Sequence, residues 1–98
     1  MIRLTPEAEA QLDALLEHYE RLGRIEATRN LIATLEAASA RIERDPAAGL
    51  PAPRPYPSLA KPGRRWLHVR PYWVGYSTTT PPVISAVFYD AANIPGRL

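Results

Sequence analysis

The chain contains no cysteine among its 98 residues. Disulfide staples, thiolate catalysis and cysteine-based zinc sites are therefore excluded. Histidine is nearly as scarce, and His18 and His68 lie far apart, so no histidine-rich metal site is expected. The expectation is a chain without metal or cofactor. No run approaches the roughly 18 apolar residues of a membrane span. The opening Met1-Ile2-Arg3-Leu4-Thr5-Pro6-Glu7 places an acid and a helix cap where a signal peptide needs an apolar stretch, which points to the cytoplasm and away from a membrane. Phosphate-loop glycines, a dinucleotide-binding glycine pattern, a Ser-His-Asp order and credibly paired carboxylates are all missing. Acids themselves run out halfway. Residues 51–98 hold six Arg or Lys and a single acid, Asp90, whereas residues 1–50 hold six Arg and nine Asp or Glu.

The formal charge is therefore −3 on the first half and +5 on the second, which together make the net +2. The basic half also carries both tryptophans and four of the five tyrosines. Cations beside aromatics suit an anionic, acidic or stackable partner, so function is expected there. The length fits one domain with one core, and a hydrophobic fraction of 46% is enough to fill it.

Helical periodicity dominates the first half. Thr5-Pro6-Glu7 reads as a helix start, with a hydroxyl to cap an orphan N–H and a proline in the first turn. Ala8, Leu12, Leu15, Leu16, Tyr19 and Leu22 then recur at spacings of three and four. Gly23 interrupts. A second stripe runs through Ile25, Thr28, Leu31, Ile32, Leu35, Ala38 and Ile42 and ends at Asp45-Pro46. So short a break predicts an antiparallel helix hairpin over residues 5–46. Residues 47–63 form a proline-rich, semi-stiff surface crossing.

After Gly63 the period becomes two. Arg65 to Arg70, Tyr72 to Thr79 and Val83 to Tyr89 read as three strands, with Pro71 breaking or bulging the first run. The third is mostly apolar, which predicts a central position. Ile2-Arg3-Leu4 offers a short fourth edge strand. The expectation is a single α+β domain over residues 1–98, with the helix hairpin covering one face of a three- to four-stranded antiparallel sheet and residues 64–98 forming the basic sheet and tail.

Along a strand, residues 66, 68 and 70 share a face, so His68 and Arg70 are expected as neighbours, with Arg64 and Arg65 at the strand's start. Arginines stabilise charge on a phosphodiester and an imidazole moves a proton. The plain alternative is a solvated basic face. Tyr89 either stacks on a ligand or closes the core edge with its hydroxyl in water. Among Trp66, Tyr72, Trp73 and Tyr76, some fill the core and the exposed ones offer a platform for a partner.

The order of parts resembles the RelE/ParE superfamily of type II toxin-antitoxin toxins, in particular its ParE-like branch. The resemblance runs through Leu4-Thr5-Pro6-Glu7-Ala8-Glu9, Asp45-Pro46-Ala47-Ala48-Gly49, Gly63-Arg64-Arg65-Trp66, Tyr72-Trp73-Val74-Gly75-Tyr76 and Val87-Phe88-Tyr89-Asp90-Ala91-Ala92-Asn93-Ile94-Pro95. It implies a helix hairpin on a curved antiparallel sheet, and a growth-arresting toxin silenced by a cognate antitoxin whose acidic, amphipathic segment lies on its surface in a hetero-oligomer. ParE-like members poison DNA gyrase without catalysis. The resemblance then implies contact with target or antitoxin through Arg64, Arg65, Trp66, Arg70, Trp73, Tyr89 and Arg97. RelE-like members are ribosome-dependent mRNA endoribonucleases, and that alternative gives Arg64, Arg65, His68, Arg70 and Tyr89 the catalytic roles. A third reading is a non-toxic basic interaction module. Two departures stand out: Tyr89 takes the place of a family histidine, and Ala92-Asn93 take the place of Arg-Asp.

Overall fold

The computed structural model of the protein describes residues 2–89. Two helices, α1 (Pro6–Arg21) and α2 (Ile25–Arg44), precede three strands, β1 (Arg64–Val69), β2 (Tyr72–Ser77) and β3 (Val83–Tyr89). The α+β architecture follows the expectation. Thr5 caps α1 by accepting a hydrogen bond from the Ala8 N–H at 3.2 Å, and Pro6 occupies the first turn. At the other end, Gly23 takes φ +65 and the Arg24 N–H reaches back to the Tyr19 carbonyl at 2.9 Å. That closure needs a left-handed residue, which glycine adopts without a Cβ penalty. The chain therefore reverses within three residues and starts α2. Among the described residues, no helix is long and apolar enough to cross a membrane.

The sheet order is β1-β2-β3, all antiparallel. The central strand is β2, not the apolar β3 that the sequence suggested. The apolar character of β3 has another cause: both faces of the sheet are covered. On one face, Leu31, Leu35, Ala38 and Ile42 of α2 and Ala8 and Tyr19 of α1 pack on Leu67, Tyr72, Val74, Tyr76, Ile84 and Val87. On the other, Trp66, Trp73, Ala86 and Phe88 form a second core beneath Leu50, Tyr56 and Leu59 of the proline-rich crossing. Strands buried on both faces read as continuous apolar runs rather than as alternation.

A bulge reconciles β3 with both cores. Gly75 pairs with Ala86 but Tyr76 pairs with Ile84, which leaves Ser85 as the extra residue. Without it, Ile84 would share a face with Ala86 and Phe88; with it, Ile84 joins Val87 on the helix side. Pro71 lies in the β1–β2 turn rather than in a bulge. The N-terminal segment contributes a single parallel bridge, Leu4 to Ile84, rather than a full strand.

The crossing is fastened where it leaves α2. The buried Tyr76 hydroxyl donates to the Pro46 carbonyl at 2.6 Å and accepts from the Gly49 N–H at 3.0 Å. Arg65, directly opposite Tyr76 on β1, donates to the Gly49 carbonyl at 2.9 Å. Leu50 then exchanges two 2.7 Å backbone hydrogen bonds with Trp66. A Cβ on Gly49 would lie 2.7 Å from the Tyr76 hydroxyl, so only glycine lets the backbone come this close. Tyr76→Phe leaves a buried N–H without its acceptor and a carbonyl without its donor. Urea denaturation should show a loss of about 1–3 kcal/mol. A midpoint equal to that of the parent would mean the phenol does not fasten the crossing.

Candidate interaction surfaces

β1 divides the predicted basic cluster. Odd residues point toward the helices and even residues away from them, so Arg65 lies on the helix side with Leu67 while Arg64, Trp66 and His68 face the crossing. Arg65 is half-buried and occupied with Gly49. His68 is half-buried and stacks on Trp73 with ring centroids 4.3 Å apart and an interplanar angle of 11°. Arg64 is half-buried at the start of β1, and Arg70 is exposed at the β1–β2 turn. Tyr89 pairs with Tyr72 at the end of β3, on the helix side. His68 and Tyr89 therefore sit on opposite faces with β2 between them. The five residues expected to share a phosphodiester site do not converge on one point.

The two tryptophans change role. Trp66 is 0% and Trp73 3% exposed, and both belong to the second core. The sequence left room for them on an open platform. The crossing covers that face instead, because Leu50, Tyr56 and Leu59 need apolar surface to bury. The Trp66 indole N–H has no hydrogen-bond partner among the described residues, so packing alone holds the ring. Arg97 lies outside the described residues, as do Ala92, Asn93 and the Ile94-Pro95 tail.

A surface that sequence reasoning missed lies where the helix hairpin's turn meets the β1–β2 turn. There a groove of about 940 Å³ opens between α1, the start of α2 and the ends of β2 and β3. Its inner wall is a row of phenols. The hydroxyls of Tyr19 and Tyr72 share a short, buried hydrogen bond. Tyr72 meets Tyr89 edge-on, with centroids 5.8 Å apart at 73°. The Arg24 guanidinium stands 5.8 Å from the centre of the Tyr19 ring, within cation–π range. Arg21, Arg24, His18 and Glu26 supply part of the polar lining, and Leu15, Ala27 and Val87 part of the apolar remainder. At the hairpin tip beside it, Leu22 is 59% and Ile25 66% exposed, although both continue the helical stripes. Tyr89 is 44% exposed. The available signal was the tyrosine ending the α1 stripe and another opening β2: a phenol at a core edge brings an apolar body and a polar tip.

Burial pushes the Tyr72 phenol well above its ordinary range, and the hydrogen bond and charge of Tyr19 push the same way, with Arg24 opposing. The phenol is thus a neutral donor and acceptor at physiological pH, suited to orienting a ligand rather than to acting as a base. Because the folded pKa exceeds the unfolded value of about 10, the folded state holds a proton that the unfolded chain releases. Its contribution to stability is complete below about pH 10 and is lost as pH rises beyond that. Denaturation curves above pH 10 should fall more steeply for the parent than for Tyr72→Phe, by up to about 1.4 kcal/mol per pH unit. Equal slopes would contradict a buried, protonated Tyr72.

Comparison with known proteins fits this architecture. The family described as ParE toxin of type II toxin-antitoxin system, parDE, matches residues 2–89. No curated protein matches in a sequence search. Among solved structures, one titled "Chromosomal ParDE TA system from P. aeruginosa" aligns with a TM-score of 0.55 at 19% identity, covering 91% of this chain and 96% of its own. At that identity the likeness concerns the fold, two helices followed by a three-stranded antiparallel sheet. The family match spans nearly the whole chain, and the chain belongs to the ParE toxin family of type II toxin-antitoxin systems.

Proposed function

We propose that this toxin acts by binding, with DNA gyrase as its target, and that a cognate antitoxin neutralises it by occupying the phenol-lined groove. The observation that carries the binding reading is the separation of the basic residues. Arg65 is committed to Gly49, His68 is stacked on Trp73, and Tyr89 lies on the opposite face of the sheet. General acid–base cleavage of RNA needs these groups within hydrogen-bond reach of one phosphate. Gyrase as target follows from the ParE-like resemblance.

The groove fits an amphipathic segment. Apolar side chains find Leu15, Val87 and the phenol faces, while acids find Arg21 and Arg24. The exposed Leu22 and Ile25 extend the apolar surface beyond the groove, as expected of a face that a partner covers. Such a segment forms the toxin-antitoxin hetero-oligomer and leaves the cationic side of the sheet free.

Two measurements bear on this. With purified gyrase and relaxed plasmid, the chain should abolish supercoiling and accumulate cleaved DNA, with cellular mRNA free of codon-phased cuts. Supercoiling that persists at large toxin excess, or codon-phased cuts lost in His68→Ala, would remove the gyrase reading. Separately, Arg24→Glu and Tyr89→Ala should each weaken binding of the cognate antitoxin about tenfold or more. Unchanged affinity in both would place the antitoxin elsewhere.

A further inference from the structure

Residues 46–89 carry five cations, Arg54, Lys61, Arg64, Arg65 and Arg70, and no Asp or Glu. They make up the crossing and the three strands, whereas residues 1–45 hold nine acids and six arginines. Folding turns this asymmetry into layers, with an acidic helix layer on one side of the sheet and the acid-free crossing on the other. Among the described residues the only ion pair joins Arg21 to Glu17, on α1. Among the described residues, Arg54, Lys61, Arg64 and Arg70 have no carboxylate within ion-pair distance.

Their placement suits a row of phosphates. Lys61, Arg64 and Arg65 line one small cleft of about 240 Å³ together with Gly63 and Thr78. Arg64 opens β1 and Arg70 follows its last residue, about 20 Å away at strand rise. That is the length of about six base-pair steps. Arg54 lies on the crossing that covers this face, and it, Lys61 and Arg70 are exposed. Of the aromatics on the same side, Trp66, Trp73 and Phe88 are buried, and Tyr56 and His68 are half-buried against that core. Single strands bind through bases stacked on exposed rings, and among the described residues none of the rings on this side is fully exposed. A duplex, which presents phosphates outward and keeps its bases stacked, needs only the cations.

We infer that the crossing side of the sheet is a sequence-independent contact surface for the phosphate backbone of duplex DNA, carried by Arg54, Lys61, Arg64 and Arg70. The inference goes beyond the gyrase and antitoxin reading and does not need it. It is measured on the toxin and DNA alone, so a failure of gyrase inhibition and a failure of DNA binding are seen separately.

The test is fluorescence anisotropy of a labelled, mixed-sequence 24-base-pair duplex titrated with the full chain, at salt from about 50 to 200 mM. Four phosphate contacts predict an affinity loss of about a hundredfold across that range. Lys61→Gln with Arg64→Gln should reduce the loss to about tenfold, since two contacts are gone. Neither side chain donates a hydrogen bond among the described residues, and circular dichroism checks that the double variant is folded. Arg29→Gln with Arg44→Gln, on the exposed helix surface, should leave the salt dependence unchanged. Any of three results overturns the inference: no binding at the lowest salt, equal or tighter binding of single-stranded DNA or an RNA duplex, or a salt slope that responds to the helix variant and not to the Lys61 and Arg64 one.

Discussion

The architecture hangs on a buried phenol. Tyr76 donates to the Pro46 carbonyl and accepts from the Gly49 N–H, and Arg65 beside it takes the Gly49 carbonyl. These bonds turn the chain leaving α2 across the edge of β1, where Leu50 bridges to Trp66. From there the crossing has one direction to run, over the sheet face that the helices do not cover. A proline-rich segment has few backbone donors to satisfy and little conformational freedom to lose. It therefore serves as a lid on an aromatic core without secondary structure beyond the short turn Pro57–Leu59.

This sandwiching explains why cationic and aromatic residues, interleaved in sequence, end with different fates. The tryptophans go inward to the second core, and the lysine and most arginines stay at its margins. Arg65 is the exception, because its register sets it opposite Tyr76, where a carbonyl awaits. Three of the tyrosines, the buried Tyr19 and Tyr72 and the exposed Tyr89, gather instead at the end of the molecule where the helix turn meets the sheet. Tyr19 and Tyr72 each bury a ring in the core and share a hydrogen bond at its edge. A phenol-lined groove and a cation-bearing face thus lie on separate parts of one small toxin.

Much of the fold was legible residue by residue. Thr5, Pro6, Gly23 and Asp45-Pro46 mark the helix ends because capping and backbone chemistry are local. Of the α2 stripe, Leu31, Leu35, Ala38 and Ile42 are buried as its spacing predicts, whereas Ile25 and Ile32 are exposed. Less of the candidate site was legible. Alternation places Trp66 opposite Leu67, but nothing local says that a proline-rich segment will cover that face. The Ser85 bulge exchanges the facing of Ile84, and the apolar run Val83 to Tyr89 hides it because every position there is compatible with burial. The groove depends on Tyr19 and Tyr72, 53 residues apart, meeting hydroxyl to hydroxyl.

The amino-acid sequence by itself determined the helix hairpin, the strand segments and the division of charge between the halves, since periodicity, caps and composition act over a few residues. The tertiary structure alone decided which aromatics are buried, which arginine is occupied and where a groove opens. Those outcomes follow from long-range contacts: the latch that aims the crossing, the register that sets Arg65 against Tyr76, and the close approach of helix turn and strand turn.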